Sequence, residues 1–188
     1  MTHPLQQRLI AEVIDREGDY VDHPADRGGP TRYGVTEAVA REYGYRGDMR
    51  SLPYQLAVDI YSGDYWHSLR LDNIVTIHEP LAEYLFDYGV NSGPGRAAEE
   101  LQITLNTLND QQRYYRDIKV DGAVGPITLG ALREFRKARG DEGVDVLAAT
   151  INACRIAFCR SLARQRQSQE AFAYGWFKRV VHLGREVA

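Results

Sequence analysis

The twenty residues from Glu17 to Thr36 (EGDYVDHPADRGGPTRYGVT) constrain the fold more than any other stretch of this chain. They hold four Gly, two Pro and three Asp, a density of turn formers through which no helix continues. The segment before them is strongly periodic. Leu5, Leu9, Ile10, Val13 and Ile14 fall on one stripe at helical spacing, and Pro4 suits a first helical position. The chain is therefore predicted to run as a helix to about Arg16–Gly18 and then to turn back on itself. Short strands are expected near Tyr20–Val21 and Tyr33–Val35, and a new helix starts from Thr36 as its cap.

The remainder reads as helices punctuated by Gly and Pro. The helix capped by Thr36 runs to Tyr43. Pro53 opens another, with Leu56, Ile60 and Tyr61 on one face. A third, over about 80–91, buries Leu81, Leu85 and Tyr88, and Pro94 starts a fourth with Leu101, Leu105 and Leu108. Residues 109–120 are polar and read as an exposed excursion. Beyond the segment DGAVGPIT lies a helix with Leu129, Leu132 and Phe135. A long one follows over about 144–167, and a last one, capped by Ser168, carries Phe172, Trp176, Val180 and Leu183. The fold class is mainly α, with one small β-hairpin after the first helix and a helical C-terminal lobe. The expected division is 1–110 and 111–188.

At 188 residues and 44% hydrophobic, the chain can bury a sizeable core. Its charge is unevenly spread. Residues 1–110 carry nine Arg and no Lys against 18 Asp and Glu, a net of -9, whereas residues 155–188 carry seven basic against two acidic side chains, a net of +5. An acidic front half argues against nucleic acid as a partner and suits a polysaccharide. The basic end reads either as a solvated helix face or as an attraction to an anionic envelope. Cys154 and Cys159, five positions apart on a helix, cannot bridge without breaking it, so both are expected as free thiols in a reducing compartment. No apolar run has the length of a signal peptide or a membrane span, so the chain is expected to be made in the cytoplasm, without stable membrane insertion.

The chemistry concentrates in the opening stretch. Glu17 falls at the C-terminal end of the first helix, where the macrodipole is negative, with Asp15, Asp19 and Asp22 nearby and Arg16 opposing them. That setting favours the protonated carboxyl a general acid needs; the plainer reading is a surface acid. Asp26 follows nine residues on, between Pro24 and Gly28–Gly29. It is either a second carboxylate folded back toward Glu17 or a turn former. Thr31 can orient a water or serve as a cap. Asp15, Glu17, Asp19 and Asp26 have the spacing of a calcium loop, but Tyr20 stands where that loop needs Gly. The histidines are scattered, so no metal is expected and no cofactor is needed. Asn91, in FDYGVNSG, either bonds backbone or reaches a sugar. Tyr65–Trp66 offers either a sugar platform or core packing.

These residues resemble glycoside hydrolase family 108, a group of phage endolysins and bacterial muramidases. The family's EGGY motif reads EGDY here, Glu17 to Tyr20, with Asp19 where the family has Gly. Pro24, Asp26, Gly28, Gly29, Thr31, Tyr33, Gly34 and Thr36 follow in the family's order. Asp87, Val90, Asn91 and Gly93 match its DxxVNxG element. Asp121, Gly122, Gly125, Pro126 and Thr128 match the DGxxGPxT signature of its peptidoglycan-binding region. The resemblance implies a lysozyme-like helical fold in which Glu17 is the catalytic acid. Asp26 and Thr31, by similarity in spacing to phage lysozymes, would be the second carboxylate and the water holder. Tyr20, Tyr33, Trp66 and Asn91 would bind the saccharide. It further implies cleavage of peptidoglycan between N-acetylmuramic acid and N-acetylglucosamine, with release from the host cytoplasm to the periplasm through a holin-opened membrane. A non-catalytic wall-binding module, a bacterial muramidase aiding secretion, an amidase and a transglycosylase are the alternatives. At Asp19 the replaced Gly implies a positive φ and an added negative charge beside the acid.

Overall fold

The first helix, α1 (Pro4–Glu17), is set at both ends by its own sequence. His3 Nδ1 accepts the Leu5 N–H at 3.2 Å, and Pro4 occupies a position whose N–H would have no helical partner. At the other end Gly18 takes φ +76° and its N–H closes on the Ile14 carbonyl at 3.2 Å. The stripe Leu5, Leu9, Ile10, Val13 and Ile14 is at most 5% exposed and supplies much of the local core. Burial of such side chains stabilises by roughly 1.5–3 kcal/mol each.

The computed structural model describes residues 2–22 and 29–183. The chain divides into two compact units, Met1–His67 and Ser68–Ala188. In the first, the chain after α1 forms a two-residue hairpin. Strands β1 (Thr31–Arg32) and β2 (Val35–Thr36) pair antiparallel, Thr31 opposite Thr36 and Arg32 opposite Val35. The loop is Tyr33–Gly34, with φ of +55° and +75°, the two positive values a type I′ turn requires. Tyr33 is thus a turn residue and not the strand residue expected from its β-propensity. Val21 extends the sheet by exchanging two 2.8 Å hydrogen bonds with Thr31. Thr36 caps α2 (Glu37–Glu42), its Oγ1 accepting the Val39 N–H at 3.4 Å. A 3₁₀ turn (Met49–Ser51) leads to α3 (Tyr54–Tyr61), which widens into a π-helical segment, Ser62–His67. α1, α3 and the π segment pack together. Buried Gln6 donates to Ser62 Oγ at 3.2 Å across that contact.

The second unit holds α4 (Leu71–Ile77), α5 (Glu79–Ser92), α6 (Pro94–Thr107), α7 (Pro126–Gln165) and α8 (Glu170–Leu183). Short α4, rich in β-branched and Asn/Asp residues, has no counterpart in the sequence expectation. α7 breaks at Gly140 (φ +71°, ψ -172°), which yields the two successive helices expected there. Ser168 lies inside a 3₁₀ turn (Gln167–Gln169) and does not cap α8. Contrary to the expectation of no apolar run, α7 holds an 18-residue window of mean hydropathy 1.3; its Val144, Leu147, Ala148 and Ile151 are buried within this unit. Cys154 and Cys159 are both free thiols.

The polar stretch 109–120 is an exposed excursion, as expected, and it is anchored by side-chain hydrogen bonds of its own. Asn109, fully buried, donates to the Tyr115 carbonyl at 2.7 Å and to Asp117 Oδ1 at 3.0 Å, while Asn106 exchanges two bonds with Ile118. The DGAVGPIT loop is held in the same manner. Gln102, 1% exposed, donates to Asp121 Oδ1, the Ala123 carbonyl and Thr128 Oγ1, and accepts from the N–H groups of Asp121 and Gly122.

Candidate active site

Glu17 ends α1 with its carboxyl exposed to solvent, and the hairpin turn bears directly on its stem. A Cβ placed on Gly34 would lie 2.8 Å from Glu17 Cγ and 2.4 Å from the Tyr61 hydroxyl. Only glycine allows the turn to come this close, and its positive φ excludes other residues on a second ground. Two hydrogen bonds hold the turn in place. The Tyr33 N–H donates to the Gly18 carbonyl at 3.2 Å, and the Tyr61 hydroxyl donates to the Tyr33 carbonyl at 3.2 Å. The hairpin is thereby tied to the C-terminus of α1 on one side and to α3 on the other.

Tyrosines surround this junction. Tyr61 stacks on Tyr65 with ring centroids 5.5 Å apart, and Tyr33 meets Tyr54 edge-on at 5.7 Å. Burial, then the carboxylates of Asp64 and Glu17, push the Tyr65 phenol up from its ordinary value, which puts Tyr65 in the field of Glu17. Tyr61 is buried, Tyr33 and Tyr65 are half-buried, and Tyr54 is exposed. Sequence reasoning singled out Tyr33 and Tyr65, named Gly34 only within the motif and Tyr61 only on a helix face, and missed Tyr54. A signal existed: the chain holds 12 Tyr against five Phe, an excess that favours phenols able to bond at a surface.

Arg32 links the next layer. Its Nε pairs with Asp19 Oδ1 at 2.9 Å, its Nη1 donates to the Arg50 carbonyl, and its guanidinium lies 4.8 Å from the Tyr33 ring centroid. Arg50 in turn lies 5.0 Å from the Tyr20 ring centroid, and the Tyr20 hydroxyl donates to Asp22 at 3.0 Å. The residue with positive φ is Gly18, not Asp19, so the backbone strain expected at Asp19 is absent. Its added negative charge is offset by Arg32.

The other expected site residues fare differently. Thr31 is half-buried, and its hydroxyl donates to the Gly29 carbonyl at 3.1 Å, which leaves its lone pairs to accept. Asp26 lies outside the described residues. Trp66 is fully buried in the π segment, so it packs the core and offers no face to a sugar. Asn91 belongs to the second unit. There its Nδ2 donates to the Asp87 carbonyl at 2.6 Å and its Oδ1 accepts from Arg179 at 2.9 Å. Among the described residues, no cluster of His, Cys, Asp and Glu has the composition of a metal site.

A helix-end carboxylic acid fixed by a hairpin, with tyrosine faces around it in a mainly helical chain, is equipment for protonating a glycosidic oxygen beside sugar-binding rings. The class is that of a glycoside hydrolase. Residues 10–93 match the Glycosyl hydrolase 108 family and residues 96–181 match the family described as Predicted Peptidoglycan domain. The chain thus carries a glycosyl hydrolase 108 domain followed by a peptidoglycan domain, and it is a peptidoglycan hydrolase. Among solved structures, it is similar to that of Brucella abortus SagA, with 26% identity and a TM-score of 0.70 over 96% of this chain and 92% of the other. No curated protein matches the sequence.

Proposed function

We propose that the enzyme is an N-acetylmuramidase, cutting peptidoglycan between N-acetylmuramic acid and N-acetylglucosamine with Glu17 as proton donor. The observation that carries this reading is the contact of the Tyr33–Gly34 turn with the stem of Glu17. A general acid must be held in reach of the leaving oxygen, and a misplacement of about 1 Å costs on the order of 100-fold in rate. Here the turn packs on the stem of Glu17, and the residue is open to solvent. Glu17 protonates the glycosidic oxygen. Asp26 positions water or stabilises the oxocarbenium ion, assisted by the acceptor capacity of Thr31. Tyr20, Tyr33 and exposed Tyr54 provide surfaces for the saccharide.

Glu17→Gln tests the assignment, because it keeps the volume and removes the proton. Turbidity of permeabilised Gram-negative cells should then fall at a rate reduced by at least about 100-fold. Undiminished clearing would refute the role of Glu17. Product analysis tests the reaction class: a hydrolase leaves reducing muramic ends, whereas a transglycosylase leaves anhydro ends. The biological setting we propose is host lysis at the end of phage growth, with access to the wall after a holin opens the inner membrane. Expression in a Gram-negative host should be tolerated alone and lytic with a holin. Lysis without the holin would contradict that setting.

A further inference from the structure

A cavity of about 340 Å³ opens within the Ser68–Ala188 unit, with Asn91, Arg96, Arg155, Phe158, Leu162 and Trp176 in its lining. Its volume falls in the range of small-ligand sites, and its lining is divided in character. On the polar side, Arg155 is 2% exposed and pairs with Asp87 at 2.7 Å. It does not have that carboxylate to itself, because Arg179 also binds Asp87. Arg96 lies 4.3 Å from the Phe158 ring centroid and makes no ion pair among the described residues. A buried guanidinium sharing its counter-ion, beside a second with none, favours an anion. On the other side stand Phe158, Leu162 and Trp176. Trp176 stacks on Phe172 at 6.3 Å, and Phe172 and Tyr174, 58% and 78% exposed, carry the aromatic surface outward.

We infer that this cavity binds the free C-terminal carboxylate of a peptidoglycan stem peptide, the anion on Arg96 and Arg155 and the aliphatic part against Phe158, Leu162 and Trp176. A planar carboxylate matches the guanidinium fork, and a short aliphatic residue matches the apolar wall. The inference rests on peptidoglycan being the substrate, but not on Glu17 being the acid. In this reading the second unit selects the peptide state of the strand that the first unit cuts.

The test is calorimetric titration of the full chain with N-acetyl-D-alanyl-D-alanine, with its C-terminal amide and with inorganic phosphate. The acid should bind, and the amide at least about tenfold more weakly, the worth of one charge-assisted hydrogen bond. Arg96→Gln, at an exposed position, should weaken the acid about tenfold with an unchanged circular dichroism spectrum. Trp176→Ala should weaken acid and amide alike. Equal binding of acid and amide, absence of binding, an affinity untouched by Arg96→Gln, or phosphate competing as well as the peptide would each overturn the inference. Two controls separate it from the muramidase reading. Arg96→Gln should cut peptide-stripped glycan strands at the unmodified rate, and Glu17→Gln should bind the peptide acid normally.

Discussion

Gly18 and Gly34 both flank Glu17 with positive φ but differ in what stands beside them, and that difference tests the role of the hairpin turn. Both have a positive φ, +76° and +75°, Gly18 with extended ψ of -168° and Gly34 as the second loop residue of the I′ turn. A methyl group on Gly18 would meet nothing within 4 Å, whereas one on Gly34 would lie 2.4 Å from the Tyr61 hydroxyl and 2.8 Å from Glu17 Cγ. Gly18→Ala therefore costs backbone strain without overpacking, roughly 1–3 kcal/mol for a positive φ with extended ψ. Gly34→Ala costs left-handed strain of roughly 1–2 kcal/mol plus overpacking of about 1–3 kcal/mol, and displacing Tyr61 loses its hydrogen bond to Tyr33, worth about 1 kcal/mol. The expected destabilisation is then roughly 3–6 kcal/mol, against roughly 1–3 for Gly18→Ala. The assay is urea unfolding of the full chain in a Trp176→Phe background. The remaining tryptophan, Trp66, is fully buried in the first unit and reports that unit alone. Activity should diverge further than stability. At temperatures where both variants are folded, Gly18→Ala should retain most turnover, and Gly34→Ala should lose about 100-fold because the acid is displaced. Equal urea midpoints for the two variants, or full activity in Gly34→Ala, would refute the argument that close approach of the turn sets Glu17.

Two further outcomes follow from the ion pairs and loops. Asp19→Gly should change stability by no more than about 1 kcal/mol, since the pair with Arg32 is solvent-exposed at Asp19 and the backbone there needs no glycine; a larger gain measured by urea unfolding would mean that the carboxylate is repelled in place. The Asp121 carboxyl is held below its ordinary value of 3.8, first by the hydrogen bond from Gln102 and then by the Ala123 N–H. Because its folded-state pKa is the lower one, its contribution is fully present above about pH 4 and is lost as pH falls through the depressed value. Asp121→Asn should therefore flatten the acid limb of a stability–pH curve below that point, and a limb of unchanged steepness would exclude Asp121 as its source.

Much of the helical frame was legible because burial and spacing coincide. The α1 stripe after Pro4, the Thr36 cap, Pro53 before α3 and Pro94 at the head of α6 each combine periodicity with a residue that favours a helix start. The errors lie where one residue has two competing uses. Tyr33 favours strands, but the glycine after it makes the pair a I′ turn, which moves the strands to either side. Trp66 serves equally as platform or core, and only the π segment decides which way it faces. Residues 109–120 are largely exposed as their polar side chains suggest, and what the sequence did not disclose is that Asn106 and Asn109 anchor the loop's own backbone. The place of Glu17 at the end of α1 was legible, while the approach of Gly34 and Tyr61 to it is a tertiary contact that no local pattern encodes.

The treatment of the DGAVGPIT loop by Gln102 bears on how such signatures are interpreted. Asp121, Gly122, Ala123 and Thr128 direct their bonding groups inward to a single glutamine, and a Cβ on Gly122 would press on the Gly95 carbonyl at 3.3 Å. The signature is thus a spelling of loop architecture, and its retention records that a lobe folds rather than what the lobe holds. A chain can keep those letters and change its ligand, or lose them through an altered glutamine and keep it. Mutational scans for wall attachment that begin at Asp121 will measure collapse of the loop and report it as lost adhesion.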